Sequence, residues 1–121
     1  MNVIDSSGWL EYLSSGPNAQ FFEAAIEDTA SSVVPTICIF EVRKRMRQLF
    51  GVEAARDAAS AMLRGFTVPL TADIALLAAD LADLHKLPLA DSIILATAQT
   101  TESTLWTQDA HFSGIPGVNY V

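Results

Sequence analysis

Four carboxylates stand at comparable stations along the chain: Asp5, Glu41, Asp91 and Asp109. Asp5 ends the short apolar run Asn2-Val3-Ile4, Glu41 rides a helix that follows Val33-Val34-Pro35, Asp91 opens an apolar helical run, and Asp109 follows Leu105-Trp106. In an open parallel α/β sheet, strand ends and the helix starts beyond them line one crevice, so acids at such positions converge although distant in sequence. Two carboxylates brought within 4 Å repel by about 4 kcal/mol at an effective dielectric near 20, so a cluster of them needs protons or cations. Hard oxygen donors without histidine or thiolate suit Mg²⁺ or Mn²⁺. The chemistry that follows is metal-assisted hydrolysis of a phosphodiester, with water activated on one side and the departing oxygen stabilised on the other.

The elements that must position these acids are legible in order. Asn2 to Ile4 reads as a strand, and Ser6, Ser7 and Gly8 mark the turn into a helix through Trp9, Leu10, Tyr12 and Leu13. A lone Asp before a helix is commonly an N-cap, but two serines are available for that task, which leaves Asp5 free. Asn18 can cap a second helix whose apolar face is Phe21, Phe22, Ala25 and Ile26. After the strand at Val33–Pro35, Thr36 is expected to cap a helix from Ile37 to Phe50 that Gly51 closes. On a wheel of 100° per residue, Cys38, Ile39, Val42, Met46, Leu49 and Phe50 share one side, with Glu41 at its edge beside Arg45. The plain reading of Glu41 is an i,i+4 ion pair with Arg45, worth roughly 0.3 to 0.5 kcal/mol. An alanine-rich helix runs from Val52 to Leu63, a third strand from Phe66 to Leu70, and Thr71 caps the helix that packs Ile74, Leu77, Ala78 and Leu81. Pro88 starts the helix of Asp91, in which Ile94, Leu95 and Ala98 recur at helical spacing; Asp91 there has a capping alternative, and Asp109 that of a loop acid. Gly114 to Gly117 turns the chain into an edge strand at Val118–Val121. His85 and His111 lack a histidine or cysteine partner, and neither is assigned a metal role.

Composition narrows the function. With 121 residues, half of them hydrophobic, the chain is read as one domain spanning 1–121. A formal charge of −7 speaks against broad non-specific nucleic-acid binding and against direct DNA binding by this chain. Arg43, Lys44, Arg45 and Arg47 nevertheless place four of the seven basic residues within five positions. That run is either a solvated helix face or a patch that holds substrate phosphates beside the carboxylates. The lone Cys38 excludes an intramolecular disulfide and fits a reduced, cytoplasmic setting. No basic leader with an apolar core and no bilayer-length apolar run is present, so a soluble protein without membrane contact is expected.

The motifs resemble those of the PIN-domain ribonucleases, in particular the VapC-type toxins of type II toxin–antitoxin pairs. The resemblance rests on Val-Ile-Asp-Ser-Ser around Asp5 and Ser7, on Glu41 in the helix after the second strand, on Leu-Ala-Asp-Ser-Ile-Ile-Leu-Ala-Thr-Ala around Asp91, and on Leu-Trp-Thr-Gln-Asp-Ala-His-Phe around Asp109. It implies a three-layer α/β/α sandwich with a central parallel sheet of about five strands, and an acidic pocket for Mg²⁺ or Mn²⁺. Asp5, Glu41 and Asp91 would carry the ion and Asp109 would support it, with the hydroxyls of Ser7 and Thr107 bordering the pocket. It further implies endonucleolytic cleavage of RNA, a cognate VapB-like antitoxin, and assembly as a homodimer or a toxin–antitoxin hetero-oligomer. Rival readings fit less well. A receiver domain needs paired acids after its first strand and a late lysine, whereas Asp5 stands alone and no lysine follows Lys86; a haloacid dehalogenase-type phosphatase needs an acid where Ser7 stands. A PIN-like interaction module without turnover is the remaining alternative.

Overall fold

The computed structural model describes residues 1–121. In chain order the elements are β1 (Asn2–Ile4), α1 (Ser6–Leu13), α2 (Ala19–Glu27), β2 (Ser32–Pro35), α3 (Thr36–Phe50), α4 (Val52–Met62), β3 (Phe66–Val68), α5 (Ala72–His85), α6 (Leu89–Thr100), β4 (Thr104–Thr107) and β5 (Val118–Tyr120). Short 3-10 turns occupy Thr29–Ser31 and Ala110–Phe112. The five strands form one parallel sheet in the order β3-β2-β1-β4-β5. Parallel neighbours need crossover connections, and the helices supply them.

The order explains where a site can form. The chain starts at the centre, steps outward through β2 and β3, then crosses back to β4 and β5 on the other side of β1. The reversal lies between β1 and β4, whose register sets Asn2 opposite Thr104 and Ile4 opposite Trp106. Beyond the carboxyl ends of those two strands no crossover covers the crevice, which is where open α/β sheets place their ligands.

Alternation along β1 sends Val3 and Ile4 to opposite faces, and both are buried, so helices cover the sheet on both sides as in a three-layer sandwich. Helix α6 is the most enclosed: every residue from Ser92 to Ala98 is buried, well beyond the single apolar face expected from Ile94, Leu95 and Ala98. Its Thr97 Oγ1 satisfies itself by donating to the Ile93 carbonyl at 2.8 Å. No helix is long and apolar enough to cross a membrane.

Local chemistry departs from the expected caps at three helices. Ser6 and Ser7 lie inside the first turn of α1, and Asp5 takes the cap position without a side-chain cap bond. Thr36 is likewise the first helical residue of α3, with Pro35 before it, and Asn18 makes no cap bond to α2. Thr71 behaves as expected, its Oγ1 accepting from the Ile74 amide at 3.2 Å. Leu49 and Phe50, expected on the buried side of α3, are 50% and 56% exposed. The reason is length: 15 helical residues span about 22 Å, whereas the four residues of β2 span about 13 Å, so the last turns run past the sheet.

Gly8 fixes how closely α1 approaches the core. A Cβ there would meet Phe22 Cε1 at 2.7 Å and Ile4 Cγ2 at 2.8 Å, and both side chains are fully buried. Gly8→Ala gains about 1 kcal/mol in helix propensity but overpacks the core by about 1 to 3 kcal/mol. A net loss near 1 kcal/mol is expected in urea denaturation. Unchanged or increased stability would mean that the Phe22 ring yields freely.

Candidate active site

Asp5 is placed by the backbone before its side chain acts. Its amide donates to the Trp106 carbonyl at 2.9 Å, extending the β1–β4 ladder by one bond and setting Asp5 beside Thr107. The carboxylate is only 3% exposed. Its Oδ2 accepts two hydroxyl hydrogen bonds, from Ser7 Oγ and from Thr107 Oγ1, both at 2.7 Å. Thr107 Oγ1 in turn accepts the amide of Asp109 at 2.9 Å, so one buried hydroxyl joins two of the four acids. Burial pushes the Asp5 carboxyl up; the two hydroxyls oppose that shift and the negative charge of Asp109 adds to it.

Asp91 enters from the first turn of α6, and Asp109 and His111 from the turn after β4. One oxygen of each acid and one ring nitrogen of His111 lie within 4.8 Å of one another. The backbone forces this arrangement: the His111 amide donates to Asp109 Oδ1 at 2.9 Å, an Asx-type turn that swings the imidazole back over the acids. The ring Nδ1 then stands 2.9 Å from Asp91 Oδ2 and 3.2 Å from Asp109 Oδ1. Ionised carboxylates only accept hydrogen bonds, so Nδ1 carries the proton in this contact. Asp91 is pushed up to about 6, first by burial and then by the charges of Asp109 and Asp5, against the lowering contact with His111. The His111 imidazole is raised, chiefly by its hydrogen bond to Asp91. Negative charge in excess of its local compensation is the physical character of this corner.

Glu41 sits apart from that trio. It is half-buried on α3 and receives the hydroxyl of Ser6 at 2.7 Å, which ties it to the residue next to Asp5. The expected ion pair with Arg45 does not form; Arg45 Nη1 instead donates to Gln48 Oε1 at 3.3 Å. Arg45→Ala is accordingly expected to change stability by less than about 0.5 kcal/mol in chemical denaturation. A larger loss would reveal a structural ion pair.

The basic run divides. Lys44 and Arg45 share a cavity of about 350 Å³ with Ser6, Leu10, Phe40, Glu41 and Gln48, whereas Arg43 and Arg47 line no part of it. Helical geometry accounts for the split, since Arg43 and Arg47 lie about 200° and 240° around α3 from Glu41. A larger cavity, about 540 Å³ along Tyr12, Ala19 and Glu23, contains none of the four acids. Carboxylates at the sheet's crevice, rather than an enclosed volume, define the candidate site.

The sequence model for the PIN domain matches residues 3–118. The chain belongs to the PIN-domain family. No curated protein matches it significantly in sequence. Among solved structures, a toxin–antitoxin complex from Klebsiella pneumoniae contains a chain 28% identical, with a TM-score of 0.81 and coverage of 98% of this chain and 96% of that one. VapC20 of Mycobacterium tuberculosis, a toxin that cleaves the sarcin–ricin loop, is 17% identical with a TM-score of 0.80, covering 96% and 95% of the two chains. A DNA-bound VapBC complex from Salmonella typhimurium contains a chain 15% identical, with a TM-score of 0.75 and coverage of 99% and 96%. At those last two identities the likeness is one of fold.

In this PIN domain, then, Asp5, Ser7, Thr107 and Asp109 form one hydrogen-bonded chain, and Asp91 joins Asp109 through His111. Glu41 reaches the group only by way of Ser6. His111 and Ser6 are additions to the residues expected from the sequence. His111 escapes a search for histidine or cysteine neighbours because its partners are carboxylates, but the Asp-Ala-His spacing at the end of a strand is a readable signal for it.

Proposed function

We propose that this PIN domain is a divalent-metal-dependent endoribonuclease acting as the toxin of a VapBC-like toxin–antitoxin pair. The observation that carries the reading is the convergence of Asp91 and Asp109 on one point beside the buried Asp5, at the sheet's topological switch. Family membership supplies the class, and the Klebsiella pneumoniae complex supports the toxin–antitoxin context.

The donor set fits a hard divalent cation. Carboxylate oxygens dominate it, and Asp91 retains its proton up to about 6, first because it is buried and then because Asp109 and Asp5 add negative charge. Asp5, Asp91 and Asp109 would hold the ion, with Glu41 contributing from α3. A bound Mg²⁺ or Mn²⁺ supplies Lewis acidity toward a phosphodiester oxygen and lowers the pKa of water. The chain's own part is orientation. Thr107 and Ser7 fix the Asp5 carboxylate, and Thr107 also fixes the start of the turn that bears Asp109. Lys44 and Arg45 stand on the Glu41 side, where an RNA backbone can be met by cations. The acidic remainder of the surface suits a basic antitoxin segment, and assembly with that antitoxin or with a second copy belongs to the same reading.

Two measurements test this. Calorimetric titration of Mn²⁺ into the purified protein is expected to give saturable binding that EDTA reverses. Incubation of the same protein with total RNA is expected to yield discrete fragments with Mg²⁺ or Mn²⁺ and none with EDTA. Intact RNA under every metal condition, from a protein that binds Mn²⁺, would leave the non-catalytic module as the reading.

A further inference from the structure

The 350 Å³ cavity on α3 has a composition that metal chemistry does not explain. Phe40 is 64% exposed, as Phe50 and Phe66 are to a similar degree, but it alone has a cation over its ring, Lys44 Nζ at 5.8 Å from the centroid. Neither Lys44 nor Arg45 forms a salt bridge, so two cations face one carboxylate, Glu41, in a protein whose net charge is −7. Leu10 is the only other apolar residue of the lining, which makes this a poor seat for an apolar protein anchor. An exposed ring beside cations that have no carboxylate partner is instead the chemistry by which single-stranded nucleic acid is held, the base taking the ring face that Lys44 now covers and the backbone meeting the charges. The cavity also adjoins the acids, since its Ser6 donates to Glu41 and is bonded in sequence to Asp5.

We propose that Phe40, Lys44 and Arg45 form a nucleotide subsite beside the acidic cluster, where one unpaired RNA base stacks on Phe40 and the adjoining phosphate is held by Lys44 and Arg45. The subsite rests on the ribonuclease reading for the identity of the polymer, but its geometry is independent of turnover. It commits the enzyme to substrate that is single-stranded, or unstacked, next to the scissile bond. Duplex RNA cannot offer a base face to the ring without breaking its own stack.

The test uses the full chain carrying Asp91→Asn, so that bound RNA is not consumed. The probes are a fluorescein-labelled single-stranded oligouridylate of about ten nucleotides and its abasic counterpart of equal charge. The uridylate is expected to bind more tightly than the abasic strand. Adding Phe40→Ala should weaken uridylate binding by about five- to a hundredfold and erase the difference between the strands, while Phe40→Trp preserves it. Lys44→Ala with Arg45→Ala should flatten the slope of log affinity against log salt by about 0.7, the share of the one phosphate that is no longer neutralised. Arg43→Ala with Arg47→Ala should change it less. Equal preference for the base-bearing strand with and without Phe40 would overturn the subsite, as would failure of the Asp91→Asn chain to bind the uridylate. Retained RNA binding by Phe40→Ala together with loss of a protein partner would reassign the surface to a protein interface. Cleavage by the wild-type chain is scored separately: Phe40-dependent binding without cleavage removes the nuclease reading alone, and cleavage without Phe40 dependence removes the subsite alone.

Discussion

Asp91→Asn is expected to lower Mn²⁺ affinity and RNA cleavage by more than about a hundredfold, while making the metal-free protein more stable at neutral pH. The first effect follows from removing a donor, since even the groups that only orient metal ligands cost 10- to 100-fold when removed. The second follows from proton linkage. The Asp91 carboxyl ionises near 6 in the folded chain against an ordinary value of 3.8, so the folded state holds this proton more tightly than the unfolded one. Its contribution to stability is therefore complete below the ordinary value and is lost as pH rises from there through about 6; measured against a neutral side chain, the same change is the penalty of the ionised group above that pH. For a half-buried group the penalty at pH 7.5 is about 1 to 2 kcal/mol after allowing for solvent screening. Asparagine carries no such charge and escapes it. Urea denaturation of both proteins in EDTA, across pH 4 to 8, should show curves that separate between about 4 and 6 and run parallel above that. Coincident curves would mean that Asp91 is compensated in the apo protein, and wild-type metal binding in the variant would remove Asp91 from the site.

Thr107→Val should have the next largest effect, although it alters no charge and little volume. The Thr107 hydroxyl is fully buried, donates to Asp5 Oδ2 and accepts from the Asp109 amide. Valine leaves the carboxylate one donor short and the amide without its partner. The expected cost is about 2 to 4 kcal/mol in denaturation and 10- to 100-fold in Mn²⁺ affinity. Thr107→Ser, which restores the hydroxyl at the expense of one methyl, should recover most of the affinity. If valine and threonine bind the ion equally, the residue is packing alone.

These two residues also mark how far the sequence can be read. Asp5, Glu41, Asp91 and Asp109 stand at comparable stations, and a parallel α/β alternation predicts that all four converge; Asp91 and Asp109 group within 4.8 Å together with His111, while Asp5 and Glu41 stand outside that group. The bond of Ser7 to Asp5 is local, but that of Thr107 to Asp5 depends on β1 and β4 being neighbours, a fact of strand order that periodicity does not carry and that only the family resemblance supplies. His111 is legible only in the local Asp-Ala-His spacing, whereas the start of α1 is not legible at all, because distant partners decide it. Asp5, Ser6 and Ser7 all compete for the α1 cap position, and the outcome turns on Thr107 and Glu41, which draw the side chains elsewhere. The basic run reads as one patch until the helix is given a direction. Exposure of Leu49 and Phe50 depends on the relative lengths of α3 and the sheet, which a helical wheel does not contain.

The pairing of β1 with β4 joins the first strand of the chain to one that begins at Thr104. The bond from Thr107 to Asp5 closes a loop across 102 positions, so the site is among the longest-range contacts the molecule makes. Such contacts are the slowest to form, because their closure entropy is met before they return any energy. A chain of this design draws its acids together only across its full length, and any break in its continuity that frees β4 from β1 scatters them without altering one. The acidic cluster is thus a property of the finished topology and vanishes with it.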